Sequence, residues 1–287
     1  MSGVFDQAIS ILKSQGVCYS EPQSFQGYLK EYEIKSQKTA ACISIQKLED
    51  LKPELRKNEY MVFRLGCRFN DSNTYFGLAK LHNSSDWSEY FLIDKLIFDG
   101  VEPEIFLPNV SIRQLFAFNL LANLTENSLI NLATSSGLLA AALQVEEQGG
   151  LAAPASGQGT FTFDFKPSPL APSAWNHING QVEIDALFVG RKNKRETLFV
   201  IEAKTSDSFE SLSKHKLVYP ILALRSKVPA YIPMIPVYVR AVKPKDKKEI
   251  HFFIAICHLN PCNQESILSV SELSVCYVKH LILMGFS

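Results

Sequence analysis

The stretch Gln181 to Thr205, QVEIDALFVGRKNKRETLFVIEAKT, decides how the chain reads. Two apolar runs alternate with period two on either side of a polar turn, Arg191 to Arg195, which is the pattern of an antiparallel hairpin. Alternation assigns Val182, Ile184, Ala186 and Phe188 to one face of the first strand and Glu183 with Asp185 to the other. In the second strand Phe199, Ile201 and Ala203 share a face, and Leu198, Val200, Glu202 and Lys204 share the opposite one. Asp185, Glu202 and Lys204 are therefore expected to cluster on one side of a hairpin that is otherwise apolar. An unpaired charge in such a place is costly, so the cluster is either an ion pair at a strand end or a site for a divalent metal.

The chain contains its own control, because Glu33-Ile34-Lys35 repeats the spacing of Glu202-Ala203-Lys204. The earlier triplet lies in LKEYEIKSQK, with no acidic strand before it and no apolar run leading into it, and reads as a solvated face. TLFVIEAK, by contrast, is an apolar strand ending in charges and preceded by an acidic partner. That difference favours the metal site at Asp185 and Glu202.

These residues resemble the PD-(D/E)XK nuclease superfamily, which includes many restriction endonucleases, and the resemblance extends from about Glu126 to His258. It implies a restriction-endonuclease-like α/β (α+β) core, a mixed central sheet flanked by helices. It also implies magnesium held by Asp185 and Glu202, with the Ala203 backbone carbonyl as a further ligand and Lys204 orienting or activating the attacking water. Ile184 stands where the family's motif has proline, a departure shared by many members. Two further positions follow from the same likeness. Glu126 would be the extra acidic residue near the metals, or else a first-turn glutamate after a Thr125 N-cap, where it complements the helix dipole. Lys216, in KHKLVYP, matches the basic or glutamine position on the following helix, or else is a solvated lysine.

The elements around the motif read independently of any family. ENSLINLATSSGLLAAALQVEE, from Glu126, repeats Leu129, Leu132, Leu139 and Leu143 near helical spacing. After a loop from Gly149 to Gly159, the run Thr160 to Lys166 alternates with Phe161, Phe163 and Phe165 on one face, a strand. Beyond the hairpin, Ser208 to Lys227 reads as a helix, and Ile235 to Ala241 and Ile250 to His258 read as strands. Helix, three strands, helix, two strands predicts a mixed sheet with helices against it.

The chain is long enough for two domains, divided at residue 108. Residues 1–108 are expected to form a β-rich unit, with a helix at Phe5 to Leu12 and strands at Ala40 to Gln46, Tyr60 to Phe69, Tyr75 to Leu81 and Glu89 to Phe98, the last three a meander. Such a unit would serve DNA recognition, through polar tips at Arg64, Arg68, Asn70 and Lys80, or dimerisation. Residues 109–287 would hold the catalytic unit, opened by a helical SIRQLFAFNLLANL.

Formal charge is zero overall, but Arg191 to Lys248 carries 14 Lys and Arg against 5 Asp and Glu, net +9, leaving −9 elsewhere. Basic charge concentrated around the proposed site suits a phosphate backbone, although Lys243 to Lys248 alone reads as an exposed turn. The six cysteines show no C-x-x-C pair and read as thiols of a reducing cytoplasm; Cys257, His258 and Cys262 lack a fourth zinc ligand. No apolar run approaches the roughly 18 residues of a membrane span, and no phosphate-cradling glycine loop points to an ATP-driven enzyme. The expected activity is magnesium-dependent cleavage of double-stranded DNA by a homodimer, as in a type II restriction enzyme with a cognate methyltransferase as genetic partner. The alternatives are a nonspecific defence or repair nuclease and a non-catalytic DNA-binding module.

Overall fold

The computed structural model describes residues 3–68, 71–121, 123–146, 151–206, 208–244, 248–259 and 266–286. Helix α1 (Asp6–Gln15) buries Ala8, Ile9 and Leu12 and ends on Gly16 in the left-handed region. Strand β1 (Gln23–Ser24) runs into α2 (Phe25–Glu31), where the Ser24 hydroxyl accepts from the Gly27 amide. Glu33 and Lys35 are exposed in the turn that follows. After α3 (Thr39–Ile43) and α4 (Pro53–Lys57) come β2 (Tyr60–Arg64) and β3 (Tyr75–Lys80), an antiparallel pair that β1 extends to three strands. The segment closes with β4 (Phe91–Ile93) and α5 (Asp94–Phe98).

Two strand expectations fail in this region. Ala40 to Gln46 holds most of a helix, since a short apolar run carries no period that separates strand from helix. The expected strand at Glu89 to Phe98 is extended only at Phe91–Ile93 and then turns helical. The meander is thus a hairpin, and the N-terminal segment mixes helix and strand instead of being β-rich. Asn70 lies outside the described residues.

The larger sheet begins with β5 (Pro103–Phe106), before the expected division at residue 108. Among the described residues of SIRQLFAFNLLANL the one helical element is a 3-10 turn at Phe116–Asn119. The single helix read from Glu126 is two, α6 (Glu126–Ser135) and α7 (Leu138–Leu143), broken where Gly137 adopts φ 81°. A β-carbon at Gly137 would sit 2.5 Å from the Asn109 side chain, so the break needs glycine. Strand β6 (Ala155–Phe165) starts earlier than the aromatic alternation indicated. Strands β7 (Trp175–Lys192) and β8 (Arg195–Thr205) form the expected hairpin. The segment read as a helix from Ser208 begins with β9 (Ser211–Ser213), and α8 (His215–Arg225) follows. Strands β10 (Met234–Val242), β11 (Glu249–His258) and β12 (Ser274–Met284) complete the chain; the last of these carried no strand expectation.

The seven strands lie in the order β5-β12-β11-β10-β8-β7-β6, a mixed sheet. β8 and β10 are parallel neighbours joined through α8, while β7 and β11 run antiparallel to them. Helices α6 and α7 cover one face, packing Leu132, Leu138 and Leu143 with Phe199, Ile201 and Val239. The other face packs Val200, Tyr238 and Phe253 into one continuous cluster with α8 and the N-terminal segment, including Phe5, Phe63 and Leu78. Strand β4 pairs with β9, and Gly66 bridges to Ile178 of β7. Gly66 has φ 74°, and a β-carbon there would lie 2.3 Å from the Ile178 carbonyl oxygen.

A buried ion pair ties these parts together. Asp94, from α5, lies 2.8 Å from the Arg240 guanidinium of β10, and both side chains are fully buried. The Asp94 carboxylate also accepts from the Tyr238 hydroxyl and the Glu210 amide. Arg240 donates in turn to the Ser206 hydroxyl and the Ser208 carbonyl, and so holds the segment that leaves β8. Burial pushes the Asp94 carboxyl above its ordinary range even with Arg240 beside it. Removing one partner strands a buried charge, so Asp94→Ala is expected to lower the unfolding free energy by about 3–5 kcal/mol. Urea denaturation of the variant against the wild-type chain measures it.

Candidate active site

The site is built where the β7–β8 ladder ends. The last registered pair toward this end is Ala186 with Ile201. Beyond it the Ala203 amide donates to the Asp185 carboxylate at 2.8 Å. The two strands therefore part at Asp185, and the carboxylate fills the gap.

Strict alternation does not hold on β7, which corrects the expected faces. Against β6, Gly157 pairs with Ile184 but Ala155 pairs with Leu187, so β7 carries one extra residue between them, a bulge at Asp185 and Ala186. Val182 and Ile184 consequently pack toward α8 and the N-terminal segment, while Ala186 and Phe188 pack toward α6 and α7. The bulge changes which way Asp185 points, as bulges beside functional sites do.

Glu202 lies on β8 with 1% of its side chain exposed, and its Oε2 has no hydrogen-bond donor. Two ammonium groups stand at ion-pair distance from Oε1, Lys204 Nζ at 3.0 Å and Lys216 Nζ at 3.4 Å. Lys216 comes from the first turn of α8 and also lies 3.9 Å from Glu183. Lys204 Nζ is 3.8 Å from Glu126 Oε1, and that same oxygen accepts from the Thr205 amide at 3.3 Å. Glu126 sits where the Thr125 cap opens α6, so the N-cap and the approach to the cluster occur together.

The five side chains named from the sequence, Glu126, Asp185, Glu202, Lys204 and Lys216, thus stand in one connected group that draws on α6, β7, β8 and α8. Glu183 joins them through Lys216; its spacing from Asp185 was visible in the sequence, but nothing there marked its partner. Arg64, read as an exposed tip, is half-buried against Ser44, and Arg68 lies over the Tyr75 ring.

Burial shapes the electrostatics. It raises the Glu202 carboxyl to about 7, against the pull of Lys216 and Lys204. Burial likewise raises Glu126. For Lys204 burial works the other way, but Glu202, Glu126 and Asp185 outweigh it and hold the ammonium above the usual lysine range. Lys204 is therefore charged at neutral pH in the absence of other ligands.

Among the described residues no three His, Cys, Asp or Glu side chains converge as a ready metal cage. Magnesium does not need one, because it keeps several waters and takes one or two carboxylates together with substrate phosphate oxygens. The Glu202 Oε2, without a donor and within electrostatic reach of Asp185, fits that donor set. Cys257 is buried, with its thiol pushed up to about 12 by burial; Cys262 lies outside the described residues.

The chain belongs to the family described as Domain of unknown function (DUF6997), whose model matches residues 101–273. No curated protein and no solved structure matches it. Among the described residues no helix is long and apolar enough to cross a membrane.

The Glu202 carboxyl is raised from 4.5 in the unfolded chain to about 7 in the folded one, so the folded state holds the extra proton between those values. Its contribution to stability falls as pH rises through that window and stays low above it. Relative to the wild type, Glu202→Gln is expected to gain on the order of 2 kcal/mol in stability between pH 5 and pH 8. Paired urea titrations at the two pH values give the sign.

Proposed function

We propose that this chain is a magnesium-dependent endonuclease of double-stranded DNA, of the PD-(D/E)XK kind, acting as a site-specific type II restriction enzyme. The observation that carries the reading is the deeply buried Glu202 carboxylate, paired through Oε1 with two lysines, without a donor at Oε2, and one residue from an amide bound by Asp185. The mixed sheet with helices on both faces agrees with the fold that the sequence resemblance implies. The parallel pair β8–β10 carries Glu202 and Lys204 toward the carboxyl end of β8, the end where ligands of open α/β sheets bind.

The chemistry follows from charge. Asp185 and Glu202 would hold magnesium, with the Ala203 carbonyl as a further ligand; the bound ion supplies polarisation of the scissile phosphate and a more acidic water. Lys204, an ammonium while its neighbouring carboxylates hold no ion, would position or deprotonate that water, or stabilise charge developing on the phosphate. Lys216 binds the phosphate from the α8 side. Glu126 anchors Lys204 and the Thr205 amide. The net charge of +9 over Arg191 to Lys248 supports attraction of the DNA backbone, with affinity falling as salt rises. Cutting both strands calls for two such sites, hence a homodimer, and a restriction role calls for a partner methyltransferase and a cytoplasmic setting.

Plasmid DNA incubated with the protein and magnesium is expected to give discrete fragments, with no cleavage in EDTA. A smear would favour a nonspecific nuclease, and salt-sensitive binding without cleavage would favour a DNA-binding module. Asp185→Ala and Lys204→Ala are each expected to slow cleavage by at least about a hundredfold. Wild-type rates in either variant would defeat the site assignment.

A further inference from the structure

A cavity of about 170 Å³ opens beside the Glu202 cluster, between the N-terminal segment, β7 and α8. Lys216 belongs to both places: it lines the cavity and lies 3.4 Å from Glu202. We propose that this cavity receives a single nucleobase, swung out of the helical stack, from the strand whose phosphate lies at the cluster.

Size is the first argument. The cavity holds several times the roughly 30 Å³ share of one water and falls short of the ~300 Å³ at which pockets for drug-sized ligands begin. That range suits one flat ring system.

The lining is the second argument. His177 and Tyr219 are buried rings in contact with each other, centroids 5.0 Å apart, with His177 stacked on Phe163, so it is their edges that line the cavity. Both are anchored to one atom, the Arg64 carbonyl, which accepts from the Tyr219 hydroxyl at 3.3 Å and lies 3.3 Å from His177 Nδ1. Ser44, Gln181 and the Arg64 guanidinium add hydrogen-bonding groups of both polarities. Arg64 donates to Ser44 and leaves its Nε without a partner. Aromatic edges next to mixed donors and acceptors suit an extruded base, which is read along its pairing edge inside an apolar-walled pocket.

Charge is the third argument, and it separates a base from a bare phosphate. Glu183 shares the lining with Lys216, which opposes an anion there. Burial keeps His177 and His215 neutral at pH 7, so neither adds positive charge.

The choice of ligand rests on the nuclease reading, but the test does not need cleavage. Saturation-transfer NMR on the full chain, without metal, would probe the four deoxynucleoside 5′-monophosphates beside deoxyribose 5-phosphate and inorganic phosphate. At least one nucleotide should take up saturation on its base protons. Ser44→Phe, which fills the cavity, should weaken that signal at least tenfold. Should the filled variant fail to fold, Gln181→Ala, at an exposed position, should change the order of preference among the four bases. Absence of any base signal, an unchanged signal in the folded Ser44→Phe protein, an unchanged order in Gln181→Ala, or displacement of the nucleotide by equimolar sugar phosphate would each overturn the proposal. Base binding in a protein that never cuts DNA would uphold the cavity and sink the nuclease reading, and cutting without base binding would do the reverse.

Discussion

A carboxylate with 1% of its side chain exposed, on a strand with neighbours on both sides, is the constraint around which this molecule is arranged. Burial alone would favour protonation of Glu202, and two lysines from different elements oppose that tendency. Lys204 arrives along the same strand, two residues on, and needs only the β8 backbone. Lys216 depends on α8 being laid across the sheet by the β8–β10 crossover, and so on the parallel pairing of those strands. A carboxylate oxygen left without a donor in such a place destabilises the fold, and the two ammonium groups reach only Oε1.

The second arrangement concerns direction. A regular β7 would continue its ladder with β8 past Ala186. The extra residue at the bulge ends that ladder and turns the Asp185 carboxylate onto the Ala203 amide. Glu126 does the same at the next amide but one, Thr205, from the start of α6. Two acidic side chains thereby take alternate backbone donors of β8, and Lys204 lies between those donors in sequence. The end of β8 is fixed by side chains, which frees it from needing another strand at that point.

The hairpin and its charged end were legible because alternation survives in β8 and because TLFVIEAK has an acidic partner strand. The bulge was not, since one extra residue inside an apolar run leaves composition unchanged and shows only in the pairing with β6. Glu126 and Lys216 became visible through likeness to a family, not through spacing. Strand β12 went unread: most of its first half is exposed or half-exposed and includes Lys279, so its pattern is that of an ordinary surface stretch. The pairing of β4 with β9 and the Asp94–Arg240 contact join residues more than a hundred positions apart, and nothing local announces either. Gly137 was inside a leucine repeat that continues on both sides of it, so helical spacing hid the break.

The Asp94–Arg240 contact has a bearing on where this protein can be cut. The region shared with its family starts at residue 101, downstream of Asp94, and stops at residue 273, just before β12. A fragment with those limits would keep the guanidinium and lose its counterion, strip the N-terminal cover from one face of the sheet so that α8 alone remained there, and leave β5 without the strand it pairs with. The matched stretch is therefore narrower than the packed unit of this chain, whose sheet is completed and covered from outside those limits.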